Sequence, residues 1–97
     1  MNTPDADTAR AALPAEEEVS RTILALAAES GDAGTVSPTQ VAQALLPPDQ
    51  WQRALPMVRR VAVTLAREGR LMIFRKGKPV DPEAFRGVYR LGLPRND

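Results

Sequence analysis

The chain has 97 residues, no cysteine, no histidine and a formal net charge of +1. This length suits one small domain, and the two missing residue types exclude disulfides, the usual zinc ligand sets and histidine-based catalysis. Residues 1–50 carry two basic and eight acidic side chains, a formal charge of −6, whereas residues 51–97 carry eleven and four, a formal charge of +7. This asymmetry indicates a polyanionic partner for the second half or attraction between the halves.

The first thirteen residues are mostly small or polar and follow no helical or strand period. We therefore predict a flexible tail over 1–13 and a single domain over 14–97. Asp5 and Asp7 lie where a secretory signal would carry positive charge, and no apolar run approaches the roughly 20 residues of a membrane span. These features predict a cytoplasmic protein with no membrane partner.

The segment that follows Pro14 has the pattern of a first helix, and Gly31 is its expected stop. Three glutamates, 16–18, suit the positive end of the helix dipole, so a solvated helix start explains this cluster better than a metal or substrate site. One apolar face is formed by Val19, Ile23, Leu26 and Ala27.

A second, short helix has a sharp predicted start after an extended segment at 35–36. Ser37 is its N-cap, Pro38 fits the first helical position, and Gln40 completes a capping box. The prolines at 47–48 stop the helix after about nine residues. Because the Ser37 hydroxyl is used as a cap, it is not expected to act as a nucleophile.

The longest periodic segment predicts a third helix from Ala54 to Gly69, with Pro56 in its first turn. Its core-facing stripe comprises Leu55, Val58, Val61, Ala62 and Leu65. Its exposed face comprises Arg53, Pro56, Arg60, Val63, Thr64 and Arg67, with Arg59 at the flank. Trp51, just before this helix, is expected to pack in the core rather than stack on a ligand.

Two strands are predicted near the end of the chain, at 71–74 and 87–93. Tyr89, Leu91 and Leu93 alternate onto one face of the second strand. Met72 and Phe74 fall on the strand face where polar residues are usual, so either the tail or a partner covers them, or the alternation is broken.

Three stretches of the chain resemble the small bacterial family catalogued as domain of unknown function 3253. The matching features are Trp51, the Glu68-Gly69-Arg70 sequence that ends the third helix, and the loop from Lys76 to Pro82. The similarity extends over roughly residues 19–95. The resemblance implies a winged helix-turn-helix fold, mainly α, with three helices and a two- or three-stranded antiparallel wing sheet. It implies no established activity.

In a helix-turn-helix protein the recognition helix presents side chains to base edges in the major groove. The residues predicted to contact DNA from this helix are Arg53, Arg59, Arg60, Thr64 and Arg67. Arginine suits guanine edges and phosphates because its planar fork donates two parallel hydrogen bonds. The alternative is a charged helix face that only contacts solvent.

The hairpin loop is the predicted wing, and Arg75, Lys76 and Lys78 are its predicted DNA contacts. Asp81 and Glu83 would repel phosphate if they faced the duplex. The alternative is therefore a loop folded back on the domain, with Asp81 paired to Arg86 or Arg90.

The order of elements favours a small winged-helix DNA-binding protein, a transcriptional regulator that is not an enzyme and needs no metal or other cofactor. Such a module makes few contacts, so it would either bind weakly or form a homodimer, with the Met72 and Phe74 pair or the first helix as the candidate self-association surface. The alternative function is a winged-helix protein-interaction module that docks an acidic partner through the basic half, or whose acidic tail shields the basic face.

Overall fold

The computed structural model of the chain describes residues 13–30 and 34–94, so all of the predicted tail except Leu13 lies outside the described residues. Three α-helices are present in this part of the chain: α1 (Glu16–Glu29), α2 (Pro38–Leu45) and α3 (Leu55–Arg67). A 3₁₀ helix, Trp51–Ala54, precedes α3, and three strands complete the described elements: β1 (Met72–Arg75), β2 (Lys78–Pro79) and β3 (Arg90–Gly92).

Helix α1 begins two residues after Pro14 and carries its three glutamates in the first turn, as predicted. Val19, Ile23 and Ala27 are buried on its inner face, and Leu26 is half-buried beside them. Ser30 caps the helix, because its backbone N–H donates to carbonyls of the last turn. The predicted stop, Gly31, lies outside the described residues.

Helix α2 starts with the predicted capping box. The Ser37 hydroxyl accepts a hydrogen bond from the Gln40 N–H at 3.1 Å, and the Ser37 N–H donates to the Gln40 side-chain oxygen at 3.0 Å. Pro38 occupies the first turn, where its missing N–H has no intrahelical partner to lose. The helix ends at Leu45, two residues before Pro47.

Helix α3 buries Val58, Val61, Ala62 and Leu65, which is the predicted stripe except that Leu55 is half-buried. Pro56 is in the first turn, as predicted, and Gly69 takes a φ of +81° just after the helix. The prediction that Val63 is exposed is wrong, since Val63 is half-buried and packs against the core.

The strands form an antiparallel sheet in the order β2-β1-β3. Val36 adds a bridge on the free side of β3: its N–H donates to the Leu91 carbonyl at 2.7 Å and its carbonyl accepts from the Leu91 N–H at 2.8 Å. The extended segment predicted at 35–36 is therefore present as a single paired residue. Three helices and a small β-sheet confirm the predicted fold class, mainly α with a small antiparallel wing sheet.

The β1–β2 hairpin turns within two residues. Lys76 and Gly77 have φ values of 54° and 82°, and the pair is flanked by the partners Arg75 and Lys78. Positive φ at both central residues is the signature of a type I′ turn, whose twist matches that of the flanking strands. The hairpin is thus shorter than the single long loop that the sequence suggested between 75 and 87.

The sheet corrects three expectations about apolar side chains. Phe74 is only 5% exposed, so it is not an exposed apolar residue, and Met72 is half-buried. Leu93 does not face the core with Tyr89 and Leu91, because β3 ends at Gly92 and leaves Leu93 39% exposed. The pair Met72 and Phe74 therefore does not form the open self-association surface that the sequence suggested.

Phe74 lies on the sheet face opposite the core, near Gly92. A Cβ added at Gly92 would approach the Phe74 ring to 3.2 Å and would clash with the carbonyl oxygen of Gly34. Glycine at position 92 thus lets the 34–35 segment pass close over the sheet.

On the core side, Trp51 packs against the main hydrophobic cluster, as predicted.

Candidate nucleic-acid interface

The exposed side of α3 carries the predicted recognition residues, and two of them lie next to α1. Arg60 donates to the same Glu16 carboxylate oxygen from Nη2 at 2.8 Å and from Nε at 3.2 Å. The Thr64 hydroxyl donates to the Arg60 carbonyl at 3.2 Å, so this group is hydrogen-bonded to its own helix. Arg60 belongs to the basic half of the chain and Glu16 to the acidic half. Their ion pair is an attraction between the halves of the kind that the charge asymmetry suggested.

Arg67, the last residue of α3, pairs with Glu83. Its Nη2 donates to Oε1 of Glu83 at 2.8 Å and its Nε donates to Oε2, so both oxygens accept from one guanidinium. This hydrogen bond lowers the pKa of the Glu83 carboxyl and raises the pKa of Arg67. The contact joins the end of α3 to the turn that follows β2.

Arg59 points from α3 toward the segment that leads into β3. Its guanidinium carbon lies 4.1 Å from the centroid of the Phe85 ring, and its Nη2 donates to the Phe85 carbonyl at 3.0 Å. The Phe85 and Tyr89 rings meet edge to face, with centroids 5.0 Å apart. Burial raises the pKa of the Tyr89 hydroxyl, and the positive charge of Arg59 opposes this rise.

Arg53 belongs to the 3₁₀ helix rather than to α3. Its Nη1 donates to the Gln50 side-chain oxygen at 2.7 Å, and the side chain is half-buried. The five predicted recognition residues thus lie along one helical segment, but each makes hydrogen bonds within the domain. Sequence periodicity could not predict these partners, because most of them come from other elements.

The three predicted wing residues differ in their environment. Arg75 is half-buried, and its Nε donates to the Val88 carbonyl at 2.9 Å beneath the backbone at Gly87. Lys76 and Lys78 are exposed, and neither forms an ion pair within the described residues. The two lysines are therefore the wing cations most available to a phosphate.

The folded-back loop takes a form that the sequence did not predict. Asp81 pairs with neither Arg86 nor Arg90; its Oδ1 accepts from the Glu83 N–H at 2.8 Å. Arg90 instead donates to the side-chain and backbone oxygens of Thr35, at 2.7 and 3.3 Å. The loop folds back on α3 through Glu83.

Arg86 was missing from the predicted contact residues. It is exposed, it lies next to Phe85, which Arg59 contacts, and it forms no ion pair in the part of the chain that the structure describes. The sequence signal was its place in the basic stretch after the hairpin.

An open apolar groove lies where the starts of α2 and α3 approach Tyr89. Among its lining residues only Arg59 is charged. The groove continues past Val88, which is 84% exposed, to Arg90. No carboxylate lines either part. The remaining lining residues of the two parts are Ser37, Pro38, Thr39, Leu55, Pro56, Gly87 and Tyr89.

Residues 13–30 and 34–94 contain no group of three side chains placed to hold a metal ion. No helix there has the length and apolar character needed to cross a membrane.

Comparisons with known proteins agree with the motifs in the chain. A family model described as "Protein of unknown function (DUF3253)" matches residues 16–94, which include all three helices and the sheet. Among curated proteins, no match was found. By this family match, the chain belongs to the DUF3253 family of proteins of unknown function.

Proposed function

We propose that this protein is a small winged-helix module that binds double-stranded DNA and acts as a transcriptional regulator. The observation that carries the proposal is the contact between α3 and residues 83–89, the part of the predicted wing that leads into β3. Arg67 binds Glu83 and Arg59 binds Phe85, so α3 and residues 83–89 form one continuous surface. A recognition helix flanked by a basic wing is the surface that winged helices present to a duplex.

The sheet topology supports the winged-helix assignment. Val36 precedes α2 and pairs with β3, and β3 in turn pairs with β1. The residue that precedes α2 therefore pairs with the strand that follows the proposed wing. This pairing joins the segment before α2 to the sheet that would carry the wing.

The cations divide into two groups with different expected roles. Lys76, Lys78 and Arg86 have no ion pair among the described residues and would contact phosphates irrespective of sequence. Arg60 and Arg67 would add contacts from α3, including contacts to base edges. The proposal includes no catalysis and no cofactor.

The first test is fluorescence anisotropy with a labelled duplex of mixed sequence, titrated at several salt concentrations. Phosphate contacts by Lys76, Lys78 and Arg86 predict a slope of log K against log salt of about −2.7, and the doubly substituted K76Q/K78Q variant should lose about 1.8 of that slope. R21Q, on α1 and outside the proposed DNA surface, is the control that shows how much the loss of one exposed cation elsewhere changes binding. No binding by the parent protein even at low salt would reject the proposal.

A second candidate function is supported by the apolar groove beside Tyr89. Its charged lining residues are arginines, with an apolar floor and no carboxylate, which suits an acidic and apolar segment of another protein. V88S should weaken the binding of such a partner. It should leave the salt dependence of DNA binding unchanged, because that dependence comes from phosphate contacts. Loss of DNA binding without loss of partner binding in K76Q/K78Q would separate the two functions.

A homodimer remains part of the proposal, because one module of this size makes few DNA contacts. With Phe74 buried, α1 is the remaining predicted self-association surface. Light scattering after gel filtration is expected to give twice the monomer mass. A monomer at high concentration would show that the dimer proposal is wrong.

A further inference from the structure

Two carboxylates of the chain accept hydrogen bonds from the α3 guanidinium groups that would bind DNA on the proposed surface. Glu16 accepts two hydrogen bonds from Arg60, and Glu83 accepts from two nitrogens of Arg67. A guanidinium binds carboxylate and phosphate through the same planar fork. Each glutamate therefore lies where a DNA phosphate would bind its arginine.

Both carboxylates are held by ordered backbone. Glu16 is the first residue of α1, where the helix dipole favours a negative charge. Glu83 lies in a turn in which the Ala84 N–H donates to the Asp81 carbonyl at 3.1 Å and the Glu83 N–H donates to the Asp81 carboxylate. The partners are 44 and 16 residues apart in the chain, so tertiary packing brings each pair together.

Both ion pairs are open to a competing anion. The exposed fractions of the side chains are 58% and 66% for Arg60 and Glu16, and 57% and 54% for Arg67 and Glu83. Exposed pairs of this kind are weak and exchange with solvent ions. DNA can therefore displace these carboxylates, whereas Lys76 and Lys78 need no such exchange.

We propose that Glu16 and Glu83 compete with phosphate for Arg60 and Arg67, and so set the affinity and salt dependence of DNA binding by α3. This inference rests on the proposed DNA-binding function. A displaced carboxylate takes up a counterion when its arginine moves to phosphate. The net release of counterions is then smaller than the number of cations on the surface predicts.

The experiment compares the parent protein with E83Q, E16Q and the double variant in the same anisotropy assay. Glutamine keeps the size of the side chain but weakens its hold on the arginine. We expect each single substitution to raise the association constant about two- to tenfold at low salt and to steepen the salt slope by up to about 0.9. The matched control is E68Q, because Glu68 pairs with Arg70 at 3.5 Å and its loss changes the net charge equally.

A double-mutant cycle tests whether the effect acts through the paired arginine. R67Q should reduce DNA affinity more in the E83Q background than in the parent protein, because only free Arg67 contributes fully. Circular dichroism checks that each variant is folded, and E16Q provides an independent test if E83Q unfolds. Binding by the parent with equal gains in E83Q, E16Q and E68Q would overturn this inference alone. No binding by the parent or any variant would overturn the proposed function as well.

Discussion

The guanidinium of Arg59 lies 4.1 Å above the Phe85 ring and donates to the Phe85 carbonyl at 3.0 Å. One side chain of α3 therefore holds both the ring and the backbone of the segment before β3. Tyr89 packs edge to face against the same ring. This contact determines where Arg86 and Val88 are presented beside α3.

Replacing Arg59 by alanine should release this segment from α3. The cation–π contact and the hydrogen bond together predict a loss of about 1–2 kcal/mol in the free energy of unfolding. Urea denaturation followed by Trp51 fluorescence measures the loss. R59K keeps the charge but not the planar stack and should recover only part of the stability; full recovery would mean that charge alone matters.

Gly92→Ala should destabilise the sheet, because the new Cβ clashes with the Gly34 carbonyl. Overpacking of this kind costs about 1–3 kcal/mol. Gly69→Ala is the comparison, since its Cβ would meet nothing within 4 Å and only the positive φ is unfavourable. Thermal unfolding should rank the Gly92 variant as less stable than the Gly69 variant, and the opposite order would contradict the close approach.

Ser37→Ala should weaken the start of α2 by removing the acceptor for the Gln40 N–H. The expected cost is about 1 kcal/mol in unfolding free energy. Ser37→Asp supplies another capping oxygen and should restore most of it. Equal stability of the serine and alanine proteins in urea would show that the cap contributes little.

The Glu83–Arg67 pair predicts a pH-dependent contribution to stability. Because the hydrogen bond from Arg67 lowers the pKa of Glu83 on folding, its stabilisation is present above the unfolded pKa and is lost as pH falls through the lower folded value. The parent protein should melt at a higher temperature than E83Q at pH 7. The difference should shrink as pH falls below the ordinary glutamate pKa of about 4.3 and vanish only below the lowered folded value. In an R67Q background, melting curves from pH 7 to 3 should show no such pH-dependent difference.

The two groups of cations should respond differently to substitution. R60Q and R67Q together should reduce both affinity and discrimination between duplex sequences, because α3 is the proposed reader of base edges. K76Q and K78Q together should lower the affinity for all duplex sequences by the same factor, because the wing is proposed to contact phosphates. Binding curves on several unrelated duplexes distinguish the outcomes, and no change in either variant would contradict both assignments.

Local sequence signals predicted the helices well. The capping box at Ser37, the prolines in the first turns of α2 and α3 and the glycine after α3 all depend on contacts within a few residues, so the sequence contains the necessary information. The buried stripe of α3 follows from one helical period in the same way.

Predictions failed where a side chain's environment came from another element. Phe74 is buried although its strand position suggested exposure, because the other face of the sheet is covered near Gly92. Leu93 is exposed because β3 ends before the alternation reaches it. Strand alternation cannot reveal what covers a face or where pairing stops.

The sequence by itself determined the family, the order of the three described helices and which arginines lie on the outer side of α3, because these depend on motifs and helical periodicity. Only the tertiary structure decided what those arginines bind. The partners Glu16 and Glu83 are 44 and 16 residues away from Arg60 and Arg67, and exposed charges leave no periodic pattern that identifies a distant partner. Packing of α1 and of the turn after β2 against α3 brings these charges together.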